Sequence, residues 1–147
     1  GGIVDVLDVS TDGRYEVADV AVGTLCYTDR PYKILELDDS LAGGLLVRTA
    51  DNDKYVTAAK HLALNVTEPA TVSVCVDTRI GTLPAWLDGA WTDAGSGVIV
   101  ETSDGAACPM RVYRKNVQAG NLVLGGNGVG TPDGDRSHYT VIVKPIN

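Results

Sequence analysis

The stretch LALNVTEPATVSVCVDTR, residues 62–79, holds two runs of strict alternation. Leu62, Leu64 and Val66 fall on one face of an extended chain, with Ala63, Asn65 and Thr67 on the other. After Glu68 and Pro69 the pattern restarts, with Val72, Val74 and Val76 inward and Ser73, Cys75 and Asp77 outward. Period-two patterning with β-branched residues predicts two half-buried strands. Pro69 has no N–H to give a ladder, so the chain is expected to turn there and the two strands to form a self-contained core hairpin.

Upstream, residues 1–9 (GGIVDVLDV), 15–22, 33–37 and 45–49 are β-prone runs, separated by polar or Gly-containing turns at 10–13, 38–44 and 50–54. Residues 57–61 are expected to form one short helical turn. Downstream, Pro84 suits the first position of a single turn over 83–87. Strands are expected at 98–102, 110–115, 121–125 and 138–144, with a Gly-rich loop at 125–135. About ten short strands at regular spacing predict an all-β fold, a single antiparallel β-sandwich of jelly-roll type with one or two helical turns. Seventeen Gly, six Tyr and no Phe agree with a turn-rich β protein. Residues 1–14 read as an N-terminal strand and linker, and 15–147 as the sandwich domain.

The net charge of −7 argues against nucleic acid or an anionic membrane surface as partner, and the basic residues form no stripe. No run of eighteen apolar residues would insert into a membrane. Cys26, Cys75 and Cys108 have neither CxxC nor Cys/His spacing, so no zinc site is expected. Outside the cell they would give one bridge and one leftover thiol, with all three pairings open. Otherwise they are three small buried apolar groups.

No catalytic constellation is legible. His61 and His138 are far apart in the chain, and no serine or cysteine sits in a nucleophile-elbow motif. Acid pairs at Asp38-Asp39, Asp51/Asp53 and Asp133/Asp135 fall in turns, where Asp bonds its own backbone. Asp51-Asn52-Asp53 and Asp133-Gly134-Asp135 are fragments of calcium loops without the closing Glu. No cofactor is expected, a structural calcium at these fragments being the one exception weighed. Asn65-Val66-Thr67 is a glycosylation triplet, with Asn65 on the outward face. Trp86 and Trp91 would suit stacking on sugar rings if exposed. Leu83 and Leu87 beside them favour a place capping one end of the core.

YTDRPY at 27–32, VRTADNDKYVTA at 47–58, EPATVSVCVDTR at 68–79, LPAWLDGAW at 83–91, VYRKNVQAGNLVLGGN at 112–127 and the closing YTVIV stand in one order. Together they resemble a β-sandwich module that recurs in large secreted bacterial proteins, often beside polysaccharide-acting domains. The resemblance implies the fold and an extracellular setting, and carries no catalytic residue. The chain departs from that pattern in its cysteines at 26, 75 and 108 and in the extra segment 1–14.

That segment suggests a function. Ile3, Val4, Val6, Leu7 and Val9 make a strand too apolar for a free tail. It either pairs in its own sandwich or is donated to the next copy, a head-to-tail contact that builds a filament, as in donor-strand fibres. With no chemistry visible, the expectation is a non-enzymatic, extracellular, self-assembling subunit whose partner is itself. The alternative is a carbohydrate-binding module that uses Asp77, Arg79, Trp86 and Trp91 on a polysaccharide.

Overall fold

A computed structural model describes residues 2–87, 89–103, 105–128 and 136–146. Its ten strands are β1 (Val4–Val9), β2 (Glu16–Asp19), β3 (Ile34–Leu37), β4 (Leu45–Arg48), β5 (Leu62–Val66), β6 (Ala70–Asp77), β7 (Thr92–Glu101), β8 (Ala107–Val117), β9 (Gly120–Leu124) and β10 (Thr140–Pro145). Two antiparallel sheets result, one of three strands in the order β1-β5-β9 and one of seven in the order β2-β4-β10-β6-β8-β7-β3. The all-β sandwich expected from the sequence is the fold.

Residues 62–79 do not form a hairpin. β5 lies in the small sheet and β6 in the large one, and each pairs with a different part of the same partner segment. Leu62 to Val66 run against Leu124 to Gly120, and Ala70 to Asp77 run against Val117 to Met110. The stretch is one long strand bent at Thr67–Pro69, lying along a second one bent just before Gly120. The register slips by one residue across the corner, where Gly120 takes φ 141°, a backbone conformation open to glycine. A ribbon that passes from one sheet to the other through a bend is how such corners are made. Pro69 sits in the bend, where no ladder N–H is needed.

The two faces of β6 explain a second difference. Val72, Val74 and Val76 point into the main core with Leu62, Leu64, Val66, Val141 and Val143. Ser73, Cys75 and Asp77, expected outward, are buried as well. Cys75 joins Leu46, Ile142, Met110, Val112, Val98 and Val100 in a second core on the opposite face of the large sheet. The connection from β2 to β3 covers that face with Val20, Cys26 and Tyr27, and Ile34 at the start of β3 joins them. It is tied down by a bridge from Leu25 to Lys33, at β3, and another from Tyr27 to Thr49, beyond β4.

Helical turns occur at Asp39–Leu41 and Asp51–Asp53. Residues 57–61 form no helical turn, and the turn falls six residues earlier instead. There Asp29 Oδ1 and Oδ2 accept from the backbone N–H groups of Asp51 and Asn52 at 2.7 and 2.9 Å and fix the start. Residues 83–87 make a single turn closed by Leu87 N–H on the Pro84 carbonyl at 3.0 Å.

β1 pairs along its length with β5 of its own chain, Val4 opposite Val66 and Val9 opposite Leu62. Val4 is buried, Ile3, Val6 and Val9 pack against the main core, and Leu7 alone is pushed out at a bulge. Within this chain the N-terminal strand is thus an edge strand of the small sheet. A donated strand would have to leave these contacts. Deleting residues 1–14 should lower stability by roughly 3–5 kcal/mol, the burial of one valine and parts of three more side chains. Urea denaturation of the truncated chain checks this, and an unchanged midpoint would contradict it.

Candidate functional site

The ends of β4, β6 and β9 and the starts of β5 and β10 all come to one end of the sandwich, because their pairings are antiparallel. The segment leading into β10 has few ladder bonds there, and buried side chains replace them. His138 N–H donates to Asp51 Oδ1 at 2.8 Å, and Tyr139 N–H to Asn127 Oδ1 at 2.9 Å. Tyr27 O–H reaches the His138 carbonyl at 2.6 Å and Thr49 O–H the Tyr139 carbonyl at 2.7 Å. Asn127 Nδ2 donates to the Lys54 carbonyl at 2.9 Å. A buried backbone needs such partners when no strand supplies them.

Asp77 belongs to this framework. Its fully buried carboxylate accepts from Arg79 Nη2 at 2.7 Å, Arg79 N–H at 2.8 Å, Ser137 N–H at 2.6 Å and the Cys108 thiol at 3.3 Å. Burial pushes its pKa up, but the bonds from Arg79, Ser137 and Cys108 prevail and hold it below the usual carboxylate range. Asp77 ties β6 to the lead-in of β10 and is closed to a ligand.

The two tryptophans separate. Trp91 is 9% exposed, sits in the main core and carries Lys115 Nζ 5.6 Å above its ring. Its ring is covered by the core and by Lys115, and the neighbouring cleft is walled by the other tryptophan. Trp86 is half-buried and packs edge-on against Trp91, with centroids at 6.1 Å, and against Tyr139 at 5.6 Å. Its Nε1 donates to the Gly126 carbonyl at 2.9 Å. Gly125 is required by this closeness, and Gly126 by the closeness of Val56. A Cβ on the first would lie 2.3 Å from the indole, and on the second 2.1 Å from the Val56 carbonyl oxygen. The rest of Trp86 walls a mainly apolar cleft of about 550 Å³ with Leu83, Pro84, Ala85, Ala58 and Thr57. Trp91 thus takes the core-capping place expected from Leu83 and Leu87, and Trp86 keeps one side on the cleft.

His61 and His138, distant in the chain, meet with ring centroids 5.4 Å apart. His138 Nδ1 lies 2.7 Å from the Tyr139 carbonyl and donates to it, and burial pushes its pKa down to about 3. His61 Nδ1 lies 2.7 Å from Ser10 Oγ and its Nε2 2.7 Å from Tyr15 Oη. Tyr15 O–H donates to Asp53 Oδ2 at 2.7 Å, as does Thr11 Oγ1 at 2.7 Å. Burial lowers the His61 pKa against the pull of Asp53, so the ring is neutral at pH 7. The sequence shows none of this grouping, since its members come from three loops.

Asp51 and Asp53 are thus engaged by protein donors, Asp51 also by Arg30 and Lys54 at 3.7 Å each. Among the described residues no group of three or more metal-binding side chains occurs. The fragment at 133–135 lies outside the described residues. Asn65 is half-buried in the central strand of the small sheet, flanked by Asp5 and Asn121. All three cysteines are free and buried. Burial pushes Cys26 up to about 12; burial and then the Asp77 charge push Cys108 up to about 12.

No family model matches the chain, and no curated protein matches it. Its fold does recur in solved structures. A β-glucuronidase from glycoside hydrolase family 2 superposes with a TM-score of 0.85 at 24% identity, over 95% of this chain and 14% of that one. A glycoside hydrolase family 138 enzyme targeting pectin rhamnogalacturonan II superposes with a TM-score of 0.64 at 11% identity, over 96% of this chain and 16% of the enzyme. The chain is therefore similar in fold to one domain-sized part of much longer enzymes.

Proposed function

We propose that this chain is a carbohydrate-binding β-sandwich, acting on the outside of the cell, and that the cleft beside Trp86 is where it takes a polysaccharide. The observation that carries this is the half-buried indole walling an apolar cleft. Its ring is locked by Gly126, Trp91 and Tyr139, so no side-chain freedom is lost when a sugar arrives. The flat C–H face of a pyranose matches such a ring, and the Thr57 and Thr82 hydroxyls line the same cleft. The likeness in fold to parts of two glycoside hydrolases supports a setting among glycans. A filament subunit has less support, since β1 is occupied within its own sheet.

Binding to a panel of plant and bacterial polysaccharides tests the proposal. Trp86→Ala should weaken binding roughly tenfold, the scale of one aromatic contact. Because that change also loosens the core, Ala85→Trp is the second variant. Ala85 is exposed on the cleft wall, and a large side chain there fills the cleft without entering the core. Full binding by both variants would sink the assignment.

A further inference from the structure

Ser10, directly after β1, is exposed, and its backbone N–H is pinned to the His61 carbonyl at 2.8 Å. Its Oγ lies 2.7 Å from His61 Nδ1. The direction of the proton follows from the other end of the chain of bonds. Tyr15 O–H is committed to Asp53 Oδ2, so Tyr15 Oη can only accept from His61, and His61 Nε2 must carry the ring proton. Nδ1 is then bare and takes the Ser10 hydroxyl proton. The hydroxyl of an exposed serine therefore points at the lone pair of a buried neutral imidazole. That imidazole is held in one tautomer by a hydroxyl that a carboxylate orients in turn. This is the logic of a nucleophile, a base and an orienting group, with a phenol inserted before the acid. Asp53 Oδ2 is also 3.9 Å from Nε2, close enough to stabilise a charged ring.

We infer that Ser10 is an activated nucleophile and that the chain opens small acyl esters there. Ser10 Oγ bonds to the ester carbonyl carbon as its proton passes to His61 Nδ1. The intermediate collapses by breaking the bond to the alcohol oxygen, which leaves with that proton. Water, deprotonated by His61, then attacks the acyl-serine, releasing the carboxylic acid and restoring the hydroxyl. The loop that follows Ser10, with Thr11, Gly13 and Arg14, walls a cleft of about 390 Å³ together with Asp12, Asp29 and Asp53; Ser10 is outside that lining, and an ester reaches it from its exposed side. His61 is the base, and Tyr15 and Asp53 are positioning residues. The inference stands apart from glycan binding at Trp86, and either can fail alone.

A fluorophosphonate, which reports activated serines, tests it on the intact chain. Mass spectrometry should find one adduct, mapped to Ser10 and absent in Ser10→Ala. His61→Gln should slow labelling at least tenfold. As that change touches a buried ring, Tyr15→Phe provides a second reading. It keeps the ring packing, frees His61 to take either tautomer and should slow labelling several-fold. It should also move the pH at which labelling falls off, which a purely structural tyrosine would not do. With the unmodified chain the rate should hold through pH 7 and drop only under more acid conditions, because His61 is held below the ordinary imidazole range. No adduct, an adduct elsewhere, or equal rates in the unmodified chain and Tyr15→Phe would overturn the inference.

Discussion

Replacing Asp77 by alanine should cost the fold about 3 kcal/mol and lower its melting temperature by roughly 6–12 °C. The carboxylate is fully buried and takes bonds from Arg79, from the Ser137 N–H and from the Cys108 thiol. Removing it strands those donors. The Arg79 side chain is 38% exposed and can turn its charge to water, which limits the loss. The Ser137 N–H has no such exit, since Ser137 is 3% exposed, and an unmet buried donor costs about 1–3 kcal/mol by itself. Asp77→Asn, which keeps one acceptor oxygen and the shape, should lose about half as much. Urea denaturation of both variants measures this. A ligand-binding aspartate would behave in the opposite way, with binding lost and stability unchanged. That result would return Asp77 to the glycan site.

Asp77 also shows where the sequence stops being informative. Its alternation with Val76 and Val74 correctly marks a strand, and the same pattern marks β5. Alternation states which residues share a face. It does not state which strand lies alongside or what covers the far face. The pairing of β6 with β8, and the cover over Cys75 from Cys26, Tyr27 and Ile34, are decided by residues far away in the chain. β7 and β8 run longer than their apolar patterns because bulges near Ser96, and Pro109 just past the last β6 pair at Met110, interrupt the alternation without ending the ladder. Trp91 as a core residue was legible from its neighbours Leu83 and Leu87. Its partner Trp86 was not separable from it, because which indole is covered depends on residues distant in the chain, Gly125 against Trp86 and Lys115 over Trp91. The Ser10, Tyr15, Asp53 and His61 grouping leaves no local trace at all, each residue being ordinary in its own turn.

Stability should fall by about 2 kcal/mol between pH 6.5 and pH 5, driven chiefly by His138. The ring is fully buried, its Nδ1 proton is given to the Tyr139 carbonyl and its Nε2 has no hydrogen-bond partner among the described residues. Burial is the main reason that its pKa is pushed down to about 3, with His61 adding to it and the Tyr139 bond opposing. The unfolded chain takes up a proton on this ring near pH 6.5, and the folded chain does not until about pH 3. Between those values the unfolded state binds more protons, so stability is complete above the window and drains away as pH falls, at about 1.4 kcal/mol per pH unit for one proton. His61, also lowered by burial, acts with the same sign. Asp51 acts with the opposite sign, because burial raises its pKa and protonation relieves it, and so offsets part of the loss. Urea midpoints at pH 7.5, 6.5, 5.75 and 5 give the slope directly, and His138→Asn, less stable at every pH, should remove most of it. A midpoint that stays constant from pH 7.5 to 5 would mean that His138 accepts its proton in the folded chain. The buried centre where β6 and β10 meet would then have to be open to water.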